Sequence, residues 1–168
     1  MHAMNTTPAA WLLATVLATW AGHAGAAPQD EQVATVRALY ARYAAEAAID
    51  DTAPPTLATA PPAVLRQHLT EALTRLWLRD RDCVKRTQEI CRIDFAILWD
   101  SQDPTGTRVN LAWDAAQARV TATLRRVDGS TRVLAYSLAR ETSGWRIDDI
   151  DFGPGRPSLR QLLSAAPR

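Results

Sequence analysis

The chain is poor in the residues on which recognisable chemistry usually rests. Lysine occurs once, at Lys85, and histidine three times, at His2, His23 and His68. Positive charge is therefore carried almost wholly by arginine. The arginines are scattered among acids, and the net formal charge is +1 over 168 residues. That pattern lacks the basic stripe that tracks a phosphate backbone, so no nucleic-acid partner is expected. There is no Gly-x-Ser-x-Gly, no His-Glu-x-x-His and no glycine-rich phosphate loop. Beyond residue 26 only His68 remains to serve a Ser-His-Asp or Cys-His set. Cysteine occurs twice, at Cys83 and Cys91. Two thiols eight positions apart, with no histidine nearby, do not make a four-ligand zinc site, so no metal and no cofactor are expected. No apolar run reaches the roughly 20 residues that a membrane-spanning helix needs.

What is present suits one globular domain: 47% hydrophobic and 22% charged residues. Residues 1–26 read as a secretory leader. A short apolar run, residues 11–18, is followed by Ala24-Gly25-Ala26, with small residues at the −3 and −1 positions of a signal-peptidase site. Cleavage is expected after Ala26 or, as second choice, after Ala27. The amino-terminal region is a weak leader, because it has no lysine or arginine. An uncleaved anchor is the alternative, but the apolar run is short for one. No cysteine stands near the cleavage site, which excludes lipid attachment there, and no integral membrane segment is expected once the leader is removed. The expected address is periplasmic or secreted. In such a compartment Cys83 and Cys91 are expected to form a disulfide, worth about 2.5 kcal/mol by the chain-entropy argument. Two free buried thiols are the alternative.

Residues 27–61 read as a first helix and a spacer. Within residues 31–49, Val33, Val36, Leu39, Tyr40 and Tyr43 form one apolar stripe at helical spacing. Residues 50–55 stop the helix, and a Pro-, Ala- and Thr-rich stretch follows. Residues 62–168 carry the rest of the same domain. A second helix is expected over residues 62–80, with Leu65, Leu69, Leu73, Leu76 and Trp77 on its buried face and His68 at the boundary of that stripe. Residues 82–90 are polar. Residues 91–100 are mostly apolar and read as a strand or a helical turn. After a turn at residues 101–106, Val109, Leu111 and Trp113 alternate with polar neighbours. So do Val120, Ala122 and Leu124, and then Leu134, Tyr136 and Leu138. Asp128-Gly129 marks a hairpin. Trp145 and Ile147 enter a last strand, and residues 158–163 add a helical turn. Strict alternation puts one sheet face on a core and the other toward water or a ligand. The fold class expected is α+β, with N-terminal helices packed on a strongly curved antiparallel sheet.

Several stretches carry a family likeness: Asp94-Phe95 with Gln102-Asp103, Tyr136-Ser137-Leu138, Gly144-Trp145-Arg146-Ile147-Asp148-Asp149-Ile150, and Ser158-Leu159-Arg160-Gln161-Leu162-Leu163. Together they make most of residues 31–163 resemble the bacterial domain-of-unknown-function 3828 family of exported proteins. More broadly, the chain resembles the nuclear-transport-factor-2-like, or cystatin-like, cone. The resemblance implies a fold and an envelope address, and no reaction. Cys83 and Cys91 depart from the family pattern.

In such a cone the sheet and first helices can enclose a pocket. The candidate lining is Asp94, Trp99, Gln102, Asp103, Tyr136 and Arg140, with Asp100 nearby. A carboxylate and a tyrosine in an apolar pocket can do acid–base work on a small carbonyl compound, as in isomerases of the cone type. The structural alternative is that Asp94 and Asp103 cap turns. Trp77, Trp99, Trp113 and Trp145 can form an aromatic cage, or can simply be core. Arg146 and Asp148 are expected on one strand face, pairing with Arg140 or Glu141 across the sheet. Asp148 and Asp149, as neighbours on a strand, should face opposite ways and hold no cation. No catalytic residue is assigned. The expected function is an exported, non-catalytic binding module of the cell envelope. Its partner would be a protein, as accessory subunit or as an immunity protein against a toxin, or a second copy of the chain. The alternative is a small-ligand carrier or isomerase-type enzyme using the cone pocket.

Overall fold

The structure is a computed structural model that describes residues 26–48 and 55–166. The expected leader, apart from Ala26, and the helix stop over residues 50–54 lie outside the described residues.

The first helix, α1, spans Pro28–Arg42. Pro28 stands in the first turn, where its missing N–H costs nothing, and Asp30 and Glu31 face the positive end of the helix dipole. The expected stripe is the buried one: Val36, Leu39, Tyr40 and Tyr43 are enclosed, with Val33 half-buried at its margin. A 3-10 turn, Ala44–Ala47, continues the chain, and a second, Leu57–Thr59, resumes it.

The helix expected over residues 62–80 is two helices. The first, α2, spans Pro62–His68, and the second, α3, spans Glu71–Thr87. The break has a tertiary cause. Leu69 leaves the helix to lie beside Ile147 in a parallel bridge, and the Thr70 N–H donates to the Ile147 carbonyl at 2.9 Å. The Thr70 hydroxyl then caps α3 by accepting from the Leu73 N–H, and itself donates to Asp148 Oδ1 at 2.9 Å. At its other end α3 continues through much of the polar stretch and stops at Gln88, in the left-handed region at φ 59°. The Cys83–Cys91 disulfide is formed, with 6.2 Å between α-carbons. It ties the last turns of α3 to the segment that follows. That segment, residues 91–100, is neither strand nor helix but a chain of turns. An isolated antiparallel bridge between Ala96 and Ser101 holds it, and it buries Ile97, Leu98 and Trp99.

The sheet is a four-stranded antiparallel meander: β1 (Arg108–Asp114), β2 (Arg119–Arg125), β3 (Thr131–Glu141) and β4 (Gly144–Asp151), in that order. The alternation read from the sequence is the alternation observed. Val120, Ala122, Leu124, Leu134 and Tyr136 are fully buried, while Val109, Leu111 and Trp113 on edge strand β1 are half-buried. Gly129 makes the hairpin turn at φ 81°, and the Asp128 carboxylate accepts from the Ser130 N–H. β4 departs from strict alternation. Ser137 pairs with Asp149 but Leu138 pairs with Ile147, so Asp148 is the extra residue of a β-bulge. The bulge lets Ile147 and Ile150, three apart, both point into the core, where each is fully buried.

The last helix, α4 (Leu159–Ser164), opens on a capping box of Ser158 and Gln161, and buries Leu159 and Leu163. The protein is thus α+β: four helices and one antiparallel sheet among the described residues, with the core between the helices, the 91–100 segment and one sheet face. No helix among the described residues is long and apolar enough to cross a membrane.

Candidate functional site

Chemistry under the sheet would have to use the aromatic groups that line it. Tyr136 is fully buried, and its hydroxyl lies 2.7 Å from that of Tyr40. The Tyr40 hydroxyl donates to the Leu98 carbonyl at 2.7 Å, so its only proton is committed and Tyr136 must be the donor of the pair. Burial pushes both phenols well above their ordinary range, and both stay protonated. Trp99 packs edge-on against Tyr40 at 5.3 Å between centroids. Its indole N–H donates to Glu46 Oε2 at 3.0 Å, while Glu46 Oε1 accepts from the Leu57 N–H at 2.7 Å. Burial raises the Glu46 carboxyl above its usual range, against these two hydrogen bonds, which lower it. The space directly beneath β2 and β3 is therefore filled by side chains whose polar atoms already have partners.

A cleft lies to one side of this interior. Its volume is about 570 Å³, and its walls come from α3, the Leu57–Thr59 turn and residues 90–97. Trp77, Val84, Ile90, Ile93, Phe95 and Ile97 make it chiefly apolar. Four large hydrophobic side chains are exposed among the described residues, and two of them stand here: Val84 at 38% and Ile90 at 60%. Glu46 fixes the Leu57 wall, and Arg81 supports it by donating to the Ala60 carbonyl. The disulfide fixes the opposite wall, since Val84 and Ile90 lie inside the loop it closes. Asp80, on the cleft wall, is held in an ion pair with Arg92 at 3.2 Å.

Phe95 and Gln102 belong both to this cleft and to a second, polar depression of about 440 Å³. Arg126, Arg132 and Arg156 line the second depression, together with Asp100 and Asp103. Asp100 is buried, with its backbone at φ 48°. Its carboxylate receives Arg156 at 2.6 Å, and its carbonyl receives Arg126 at 2.6 Å. The Arg156 guanidinium rests over the rings of Phe152 and Phe95, at 5.1 and 5.8 Å.

The six residues singled out from the sequence fall in four places. Asp94 and Gln102 border the apolar cleft, and Gln102 and Asp103 border the arginine-lined depression. Asp103 behaves as a turn cap: its Oδ1 accepts from the Thr105 N–H, and Thr105 holds its carboxyl below the ordinary range. Trp99 and Tyr136 are interior. Arg140 borders neither space: it pairs with Glu31 at 3.2 Å and stacks over Trp145, whose indole N–H also reaches Glu31. Trp77 and Trp99 are buried, whereas Trp113 and Trp145 are half-buried. His68 is buried at the boundary of its stripe, with Nε2 lacking a partner. The cross-strand pairing expected of Arg146 and Asp148 is not what forms. The bulge takes Asp148 to Thr70 and Arg160, and Arg146 donates to the carbonyls of Arg66, Trp145 and Ser143. Asp149 accepts from the backbone of Ile150 and Arg160.

Sequence reasoning missed Val84, Ile90 and Ile93 as cleft residues. One signal was available, the spacing Trp77–Val84, which is two helical turns and carries the apolar stripe into the polar stretch. Comparison of the chain with protein-family models, with curated proteins and with solved structures gives no significant match to any.

Proposed function

We propose that this chain is an exported binding protein of the cell envelope, and that the cleft between α3 and residues 90–97 is where it holds an apolar ligand. The cleft itself carries this reading. Its volume of about 570 Å³ falls within the range of small-molecule sites. Its mouth leaves Val84 and Ile90 in water, an arrangement that burial under a ligand would relieve. Export rests on the leader-like residues 1–26 and agrees with the Cys83–Cys91 disulfide. The meander under α1, with its bulged last strand, fits the cone of the nuclear-transport-factor-2-like kind. Membership of the domain-of-unknown-function 3828 family is part of the same proposal.

Between the two occupants considered from the sequence, the geometry favours the small ligand, in this lateral cleft rather than beneath the sheet. An accessory subunit or a toxin would instead need a broad contact of several hundred Å² per partner. The test uses the neutral dye N-phenyl-1-naphthylamine and oxidised protein lacking residues 1–26. The dye should gain fluorescence on binding, and Ile90→Asp or Val84→Asp should abolish the gain while leaving the circular dichroism unchanged. Binding that survives both substitutions would place the apolar site elsewhere and overturn the assignment.

A further inference from the structure

We infer that the cleft's occupant is a single-chain amphiphile with an anionic head, its chain among Trp77, Val84, Ile93 and Phe95 and its head held by Arg126, Arg132 and Arg156. The inference rests on the proposed reading of the cleft as a ligand site and specifies what enters it. The first observation is adjacency. Phe95 and Gln102 border both the apolar cleft and the arginine-lined depression, so the two spaces are neighbours.

The second is charge. Around the apolar cleft Arg81, Lys85 and the Arg92 that pairs with Asp80 are balanced by Glu46, Asp80 and Asp94, so there is no excess positive charge to hold an anionic head. In the adjoining depression three guanidinium groups face two carboxylates. Both carboxylates are already engaged, Asp100 by Arg156 and Asp103 by Thr105. The Arg132 side chain is exposed and makes no hydrogen bond or ion pair among the described residues, so its guanidinium is left for an oxyanion. Guanidinium groups bind carboxylate and phosphate through paired N–H donors. Stacking on Phe95 and Phe152 holds the Arg156 fork in place before the ligand arrives.

The experiment is displacement of the neutral dye by dodecanoate, dodecyl phosphate and dodecanol, each below its aggregation concentration. Dodecanoate and dodecyl phosphate should each bind about tenfold more tightly than dodecanol, the equivalent of one charge-assisted contact. The stronger of the two identifies the head as carboxylate or phosphate. Arg132→Ala should remove the preference without changing dodecanol binding, and added salt should weaken only the anions. Arg132 has no partner to lose, and Arg132→Lys should retain part of the preference. Equal affinity for dodecanol and dodecanoate, or a preference untouched by Arg132→Ala, overturns the head-group inference and leaves the cleft standing. Displacement by none of the three, dodecanol included, overturns the cleft reading itself.

Discussion

The two core phenols make an unequal pair, and their inequality can be measured. In Tyr136→Phe the Tyr40 hydroxyl keeps its bond to the Leu98 carbonyl and loses only the proton it was receiving. The expected loss is that of one net hydrogen bond, about 1 kcal/mol. In Tyr40→Phe two buried groups lose their partner at once: the Tyr136 hydroxyl and the Leu98 carbonyl. Each such group costs about 1–3 kcal/mol, so the single change should cost about 2–5 kcal/mol. The double variant leaves only the Leu98 carbonyl unpaired and should be more stable than Tyr40→Phe, although it has lost more atoms. The aromatic packing survives throughout, because Tyr40 stays edge-on to Trp99 and to Tyr136 as phenylalanine. Urea unfolding of the four oxidised proteins at pH 7, with equal slopes, completes the cycle. Additive losses, or a larger loss from Tyr136→Phe than from Tyr40→Phe, would refute the donor order. A Tyr136→Phe protein of unchanged stability but altered ligand binding would place that phenol on a ligand instead of in the core.

Glu46→Ala leaves the Trp99 indole N–H and the Leu57 N–H without their acceptors and should cost about 2 kcal/mol in urea unfolding; no loss would mean that the carboxylate is a passive neighbour. Burial first, then the charges of Arg42 and Arg146, holds His68 below its ordinary value. The unfolded chain therefore takes up the proton first. Stability should be full above about pH 6.5 and fall as pH drops from there through the folded value. His68→Gln should flatten that slope, and an unchanged slope would assign it to another group. Reducing the disulfide should lower stability by about 2.5 kcal/mol and weaken dye binding, because Val84 and Ile90 lie inside the closed loop; reduced protein with an unshifted midpoint would contradict this. Thr70→Ala should destabilise by about 1 kcal/mol although alanine is the better helix former, and Thr70→Ser should restore much of the loss. A stabilised Thr70→Ala protein would mean that the hydroxyl's cap on α3 and its bond to Asp148 contribute nothing.

The elements legible in the sequence are those whose cause is local. Period-two runs are buried on one face wherever they lie on an antiparallel strand, so β2 and β3 could be placed residue by residue. Asp128-Gly129 turns because glycine tolerates φ 81°. Ser158 with Gln161 opens a helix because the two side chains cap it reciprocally. The break at Thr70 has no such cause. Leu65, Leu69, Leu73 and Trp77 run on at four-residue steps straight through it, as an unbroken helix would. The interruption comes from Ile147, 77 positions away, whose carbonyl takes the Thr70 N–H. The bulge did leave a local trace: Ile147 and Ile150 stand three apart, one more than alternation allows.

Sites follow the same division more severely. The apolar cleft was half-legible, because Trp77 and Val84 share a helix face whatever the rest of the chain does. The arginine cradle was not legible at all. Arg126 comes from the end of β2, Arg132 from β3 and Arg156 from the loop after β4, and each alone looks like an ordinary exposed cation. What unites them is Asp100, whose carbonyl and carboxylate receive two of the three. Asp100 in turn is placed by the Ala96–Ser101 bridge, in a segment that follows the disulfide. A carboxylate that gathers arginines also partly neutralises them. The cradle can attract an anion only because the third guanidinium, Arg132, is left over. Its charge is therefore the one whose removal should separate recognition of a head group from burial of a chain.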